Sequence, residues 1–183
     1  NTIERVEGFT HPLWAVLLCL FGWLGAPISG AAVTMGLLCA AALLIGIAAS
    51  ERDHGPLAMA LLVSCSGFID FATSGLETPM TMWLVYRAYR TRRILDAPAQ
   101  VGLALGLAYL CHPDVAVLAL GPGLLALAEA REQGLRESRA ALTRFFTGLA
   151  SAPLLWHLFR FWYYGDLLPN TYYAKNGGSY WSQ

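Results

Sequence analysis

Seven apolar runs divide the chain, at 13–26, 31–50, 56–69, 80–89, 99–110, 115–130 and 145–164. They are rich in Ala and Leu and lack apolar/polar alternation, so they predict helices and argue against strands. A helix crossing a bilayer upright needs roughly 17–25 apolar residues. Several runs are shorter, and polar neighbours extend some of them: 77–89 reads as one helix. Four polar islands interrupt the runs. They are Glu4-Arg5-Val6-Glu7-Gly8-Phe9-Thr10, Thr73-Ser74-Gly75-Leu76-Glu77-Thr78-Pro79, Cys111-His112-Pro113-Asp114, and the loop from Tyr163 through Asp166 and Asn170 to Lys175. Charge near apolar depth is costly in a membrane, so such islands point to functional sites.

Composition makes the membrane reading the direct one. Of 183 residues, 56% are hydrophobic and only 13% charged, about half the charge of a typical soluble domain. The formal net charge is zero, which argues against a nucleic-acid surface, since phosphate binding needs a basic excess. The four cysteines, Cys19, Cys39, Cys65 and Cys111, lie in or beside apolar runs without short spacings, and read as packing residues. The chain opens inside one polar loop and stops just after another, which reads as an excerpt of a longer protein.

Arginine placement sets the topology. Arg87, Arg90, Arg92 and Arg93 form one cluster; Arg131, Arg136, Arg139 and Arg144 form a second. Both belong in the cytoplasm by the positive-inside rule. Between them, 99–130 suits a helical hairpin with Cys111–Asp114 at its outer turn. From the second cluster 145–164 runs outward and delivers the Tyr163–Lys175 loop outside. Helix 77–89 descends from outside, so Ser74–Glu77 is outside as well. The run 56–69 rises, which places Glu51-Arg52-Asp53-His54 inside. The first run, 13–26, follows a proline and is short for a span; it reads as a juxtamembrane or re-entrant helix, which keeps Glu4–Thr10 outside. The stretch 131–144 reads as a cytoplasmic amphipathic helix or a solvated linker. All four islands then share one face.

Their chemistry suits a sugar and a phosphate. In the last island Asp166 and Asn170 can fix hydroxyl directions, tyrosines including Tyr173 can cover sugar C–H faces, and Lys175, the sole lysine, can hold a phosphate as a point charge. An interfacial aromatic belt would place tyrosines there too. Ser74 and Glu77 stand at capping-box spacing, so Glu77 is either a helix cap or a carboxylate at the floor of an outward cavity. His112 and Asp114 flank a helix-breaking proline. Glu7 has Arg5 as a close cation, which suits electrostatic work better than general acid work. Four scattered histidines without a second ligand at i+3 or i+4 assign no metal site.

Val6-Glu7-Gly8-Phe9-Thr10-His11-Pro12-Leu13-Trp14, then Thr73–Pro79, then Tyr164-Gly165-Asp166-Leu167-Leu168-Pro169-Asn170-Thr171-Tyr172-Tyr173-Ala174-Lys175 resemble, in that order, bacterial GT-C-fold glycosyltransferases similar to the mycobacterial arabinofuranosyltransferases of the cell wall. Two positions depart from the family's pattern. His11 stands where relatives read Asn, and His112-Pro113-Asp114-Val115 where they read an Arg-Pro-Glu/Asp-Gly turn. The resemblance implies a polyprenyl-phosphate-linked sugar as donor and inverting transfer at the outer face. It also implies an acidic base in the first outer loop, which would lie ahead of Asn1.

The expected fold is all-α, a polytopic transmembrane helical bundle of GT-C type lacking the first spanning helix. Residues 1–10 would end the first outer loop and 11–183 form the helical domain, with 11–26 juxtamembrane and 163–183 an outer loop. The expected function is an integral-membrane glycosyltransferase of the bacterial inner membrane, with its active site on the outer or periplasmic face. Donor-phosphate contacts fall to Arg5, His112 and Lys175. Sugar or acceptor contacts fall to Glu77, Asp114, Asp166, Asn170 and Tyr173, and an acidic role to Glu7. Partners would be the polyprenyl-phosphate-sugar, a glycan or lipid-linked acceptor and the bilayer, with no nucleic acid. No cofactor is assigned, and a divalent metal stays open. The rival is a transporter or flippase for a lipid-linked or polar solute, which would need a polar path to the cytoplasm. Residues 101–110 and 115–127 are almost devoid of polar side chains, which disfavours one through that hairpin.

Overall fold

The computed structural model describes residues 7–50, 54–166 and 168–169. Among these every regular element is helical: α1 (Pro12–Trp23), α2 (Ile28–Ser50), α3 (Gly55–Ser64), α4 (Ser66–Thr73), α5 (Thr78–Tyr89), a 3₁₀ turn (Ile94–Asp96), α6 (Pro98–Cys111), α7 (Val115–Leu118), α8 (Leu120–Gln133) and α9 (Leu135–Tyr164). Prolines start α1, α3, α5 and α6 within their first two positions, where the missing N–H costs nothing and the fixed φ suits a helix.

Helix α6 is the centre, with α5, α9 and α1 packed against it. Small residues set how close these helices come. At Gly106 a methyl group would lie 2.6 Å from the Leu149 carbonyl oxygen, and at Gly148 it would lie 2.7 Å from that of Ala99. The α6 and α9 backbones therefore touch, which only glycine permits at these distances. Below the crossing, Val101, Leu105, Ala126 and Phe145 form one buried cluster; above it Trp14, Met80, Leu84, Ala108 and Cys111 form another. Glu129 of α8 accepts the backbone N–H groups of Ile94 and Leu95, both at 2.9 Å, and ties the 3₁₀ turn to the bundle.

Helix α2 is long and apolar enough to cross a membrane, and little of it is buried within the molecule. A second crossing exists if α3 and α4, which meet at 76° across Cys65, count as one broken span. Length and composition do not qualify the other helices. The run 56–69 is thus a bent pair rather than the continuous helix its composition predicts. The arginine-rich stretch before Phe145 also differs from expectation. From Leu135 it is the start of α9, which continues unbroken through Pro153 to Tyr164. Gly134, at φ +98°, makes the turn that separates it from α8.

Candidate functional site

Three distant stretches of chain meet above Cys111. His11 precedes α1, Glu77 precedes α5, and His112 follows α6. The α4–α5 turn is fixed by Gly75, whose φ of +76° disfavours any side chain, and by the Trp14 indole N–H, which donates to the Gly75 carbonyl at 3.2 Å. Ser74 serves this turn locally: its hydroxyl donates to Phe71 O and accepts from the Leu76 N–H. Glu77 makes no side-chain cap of α5, so the capping-box spacing is not used as one.

Glu77 instead turns inward. Its side chain is 6% exposed, with Oε1 3.1 Å from His112 Nε2 and 3.5 Å from His11 Nε2. A carboxylate this deep needs a positive or hydrogen-bonding partner, and both imidazoles supply one. His11 Nδ1 lies 2.6 Å from the Cys111 carbonyl oxygen. A carbonyl only accepts, so Nδ1 carries a proton and Nε2 faces Glu77 and the Thr10 hydroxyl, 2.9 Å away. The two rings lie 4.9 Å apart between centroids. On its other side His112 Nδ1 stands 4.0 Å from Asp114 Oδ2, whose side chain is almost fully exposed.

A second polar row lies beside the first. Glu7 and Arg160 are both buried and pair through two contacts, Nε to Oε2 at 2.5 Å and Nη2 to Oε1 at 3.1 Å. Arg160 Nη1 reaches His157 Nδ1 at 3.1 Å, and His157 Nε2 reaches the Tyr109 hydroxyl at 3.0 Å. A guanidinium only donates, so His157 Nδ1 accepts. Trp156, His157, Arg160 and Tyr164 share the inward face of α9, while Leu154, Leu155, Leu158, Phe161 and Trp162 face outward.

The two rows wall a cleft of about 560 Å³. Thr10, His11, Tyr109, His112, Asp114, Trp156, His157 and Arg160 line it, and Leu168 and Pro169 close one side. The structure therefore brings four sequence islands to one place: Glu7 to His11, Glu77, His112 to Asp114, and the start of the last loop. Asp166 is half-buried after the α9 terminus. Arg5, Asn170, Tyr173 and Lys175 lie outside the described residues.

Arg160 is the member that sequence reasoning passed over, although it is the single charge in 145–164. A lone cation in an apolar helix is itself a site signal. Tyr109 and His157 carried no comparable signal; they matter because Arg160 sits one turn away.

A curated relative aligns with the whole chain. It is the Terminal beta-(1->2)-arabinofuranosyltransferase of Mycobacterium tuberculosis (strain ATCC 25618 / H37Rv), 29% identical over 209 aligned positions. The alignment takes in 100% of this chain and 32% of the relative, so the chain spans about a third of that protein's length. This is a distant relationship to a glycosyltransferase. No family profile matches the chain, and no solved structure does.

Proposed function

We propose that this chain is part of an integral-membrane, multi-pass glycosyltransferase of GT-C type, which moves a sugar from a polyprenyl-phosphate donor to an envelope glycan or similar acceptor. The observation that carries the reading is convergence. The segments that resemble the transferase family are far apart in the chain, yet the described parts of the first and the last border one cleft, and Glu77 of the second lies against its His11 and His112. The alignment of this whole chain with about a third of an arabinofuranosyltransferase supports the same reading.

In this reading the cleft opens at the outer face of the inner membrane. The acceptor hydroxyl attacks the anomeric carbon as the bond to the polyprenyl phosphate breaks, the phosphate leaves with the bonding pair, and configuration inverts. The hydroxyl proton passes to a carboxylate outside the described residues. Glu7 has both oxygens engaged by Arg160, so its service is to hold that guanidinium over the cleft. Arg160 joins Arg5 and Lys175 as the positive wall for the departing phosphate, and His112 contacts the same group through its imidazole. Asp114, Asp166, Asn170 and Tyr173 contact sugar or acceptor hydroxyls, with Glu77 setting the pose of the two imidazoles.

The test uses the full-length protein in membranes with a labelled polyprenyl-phospho-sugar and a glycan acceptor. Label should appear in the glycan with inverted anomeric configuration. Asp166→Ala and Lys175→Ala should each abolish transfer while the protein remains folded. Label that crosses the membrane still attached to its lipid would establish the transporter reading instead. Undiminished transfer in both variants would remove these site assignments.

A further inference from the structure

We infer that His11, Glu77 and His112 form a binding site for one borderline divalent cation, of which Zn²⁺ is the fitting example. Their ligand atoms, the two Nε2 nitrogens and a carboxylate oxygen, all lie within 4.8 Å of one another. A tetrahedral zinc site with bonds of 2.0–2.2 Å has ligand–ligand edges of about 3.3–3.5 Å. The distances from Glu77 Oε1, 3.1 Å to His112 and 3.5 Å to His11, already sit close to those edges. The third edge, between the two imidazole nitrogens, is at most 4.8 Å, and the half-buried His112 ring is the one that would turn to shorten it.

The surroundings have the features that metal-binding imidazoles use. The second nitrogen of a ligating histidine is normally held by a carbonyl or carboxylate, which fixes ring and tautomer. His11 Nδ1 is held by the Cys111 carbonyl at 2.6 Å, and His112 Nδ1 faces the Asp114 carboxylate at 4.0 Å. The buried Glu77 has these two imidazoles as its ion-pairing partners; a dication between them would neutralise it without requiring either ring to take a proton. Two nitrogens and one oxygen favour Zn²⁺, Co²⁺ or Ni²⁺ over Mg²⁺ or Ca²⁺, which prefer all-oxygen sets. Both histidines also line the cleft, so the fourth position faces it and takes water or an anionic oxygen. Open three-ligand sites of this His₂Glu kind are the ones that leave room for a substrate. The binding inference stands apart from the transferase reading, because it rests on this geometry alone.

The experiment is metal analysis of the purified full-length protein in detergent, equilibrated with Zn²⁺ and then dialysed against metal-free buffer. Wild type should retain one more Zn²⁺ per chain than His112→Arg, a variant that keeps a cation beside Glu77 but removes a ligand. Co²⁺ in place of Zn²⁺ should give the visible absorption of a four- or five-coordinate ion, lost in His112→Arg and in His11→Gln. Circular dichroism and gel filtration of the variants establish that they are folded. Equal metal content in wild type and a folded His112→Arg would overturn the site and leave the trio as a protonated ion pair. A Co²⁺ spectrum unchanged in both variants would do the same. Neither outcome depends on whether the protein transfers sugar.

Discussion

Arg160 and Glu7 stand 153 positions apart and are each about nineteen-twentieths buried. Removing one partner of such a pair strands the other charge, at a cost of about 3–5 kcal/mol, whereas replacing both with neutral groups can cost little. Arg160→Met should therefore lower stability by about that amount, read from chemical unfolding in detergent. Adding Glu7→Gln should recover most of it. No recovery in the double variant would mean the loss came from packing around the Arg160 stem. At this scale the sequence was half legible. It exposed the charged residues but not their partners, since local spacing set Glu7 beside Arg5. His11 and His112, 101 positions apart, likewise offer no periodicity that could announce their meeting; only the placement of α1 against α6 brings them together.

Helix–helix contact is where glycine matters. Gly102, Gly106 and Gly148 lie along the α6–α9 crossing, and a methyl group at Gly102 would collide with the Phe145 carbonyl. Gly102→Ala should force the two helices apart and cost about 1–3 kcal/mol, the usual range for overpacking. Gly123→Ala, with nothing within 4 Å of the added carbon, serves as the control and should be neutral or slightly stabilising. Thermal unfolding of the two variants side by side measures this; equal melting temperatures would show that the crossing is looser than described. The sequence revealed that these segments are helical, because their Ala- and Leu-rich runs have no other use. It did not reveal the break at Cys65 or the continuity of α9 across its charged first turns and Pro153. Breaks and continuations of this kind depend on what a neighbouring helix shields.

At the scale of the molecule, large apolar side chains cover much of the outer surface, among them Ile45, Leu124, Leu155 and Trp162, each more than three-fifths exposed. A soluble monomer rarely exposes broad apolar patches, so lipid is the natural cover. In the proposed topology the arginine clusters mark one face and the cleft the other. In a variant with the four native cysteines replaced, cysteine introduced at Arg92 and cysteine introduced at Leu168 should react with a membrane-impermeant reagent from opposite sides of sealed vesicles. Labelling of both from one side would refute the shared-face topology.

The row running from Arg160 through His157 to Tyr109 has a further property. Because the guanidinium can only give protons, His157 must receive on Nδ1 and give on Nε2, and the Tyr109 oxygen must receive in turn. Each group's role is dictated by the one before it, so the row has a polarity, like a chain of compass needles aligned from one end. Its last member, the Tyr109 hydroxyl, keeps its hydrogen for a partner other than His157, at the edge of the hollow that Tyr109 lines. A permanent cation deep in α9 thereby fixes the sense of an uncharged contact two residues further along the row. Whatever oxygen comes to rest beside Tyr109 meets a donor rather than an acceptor.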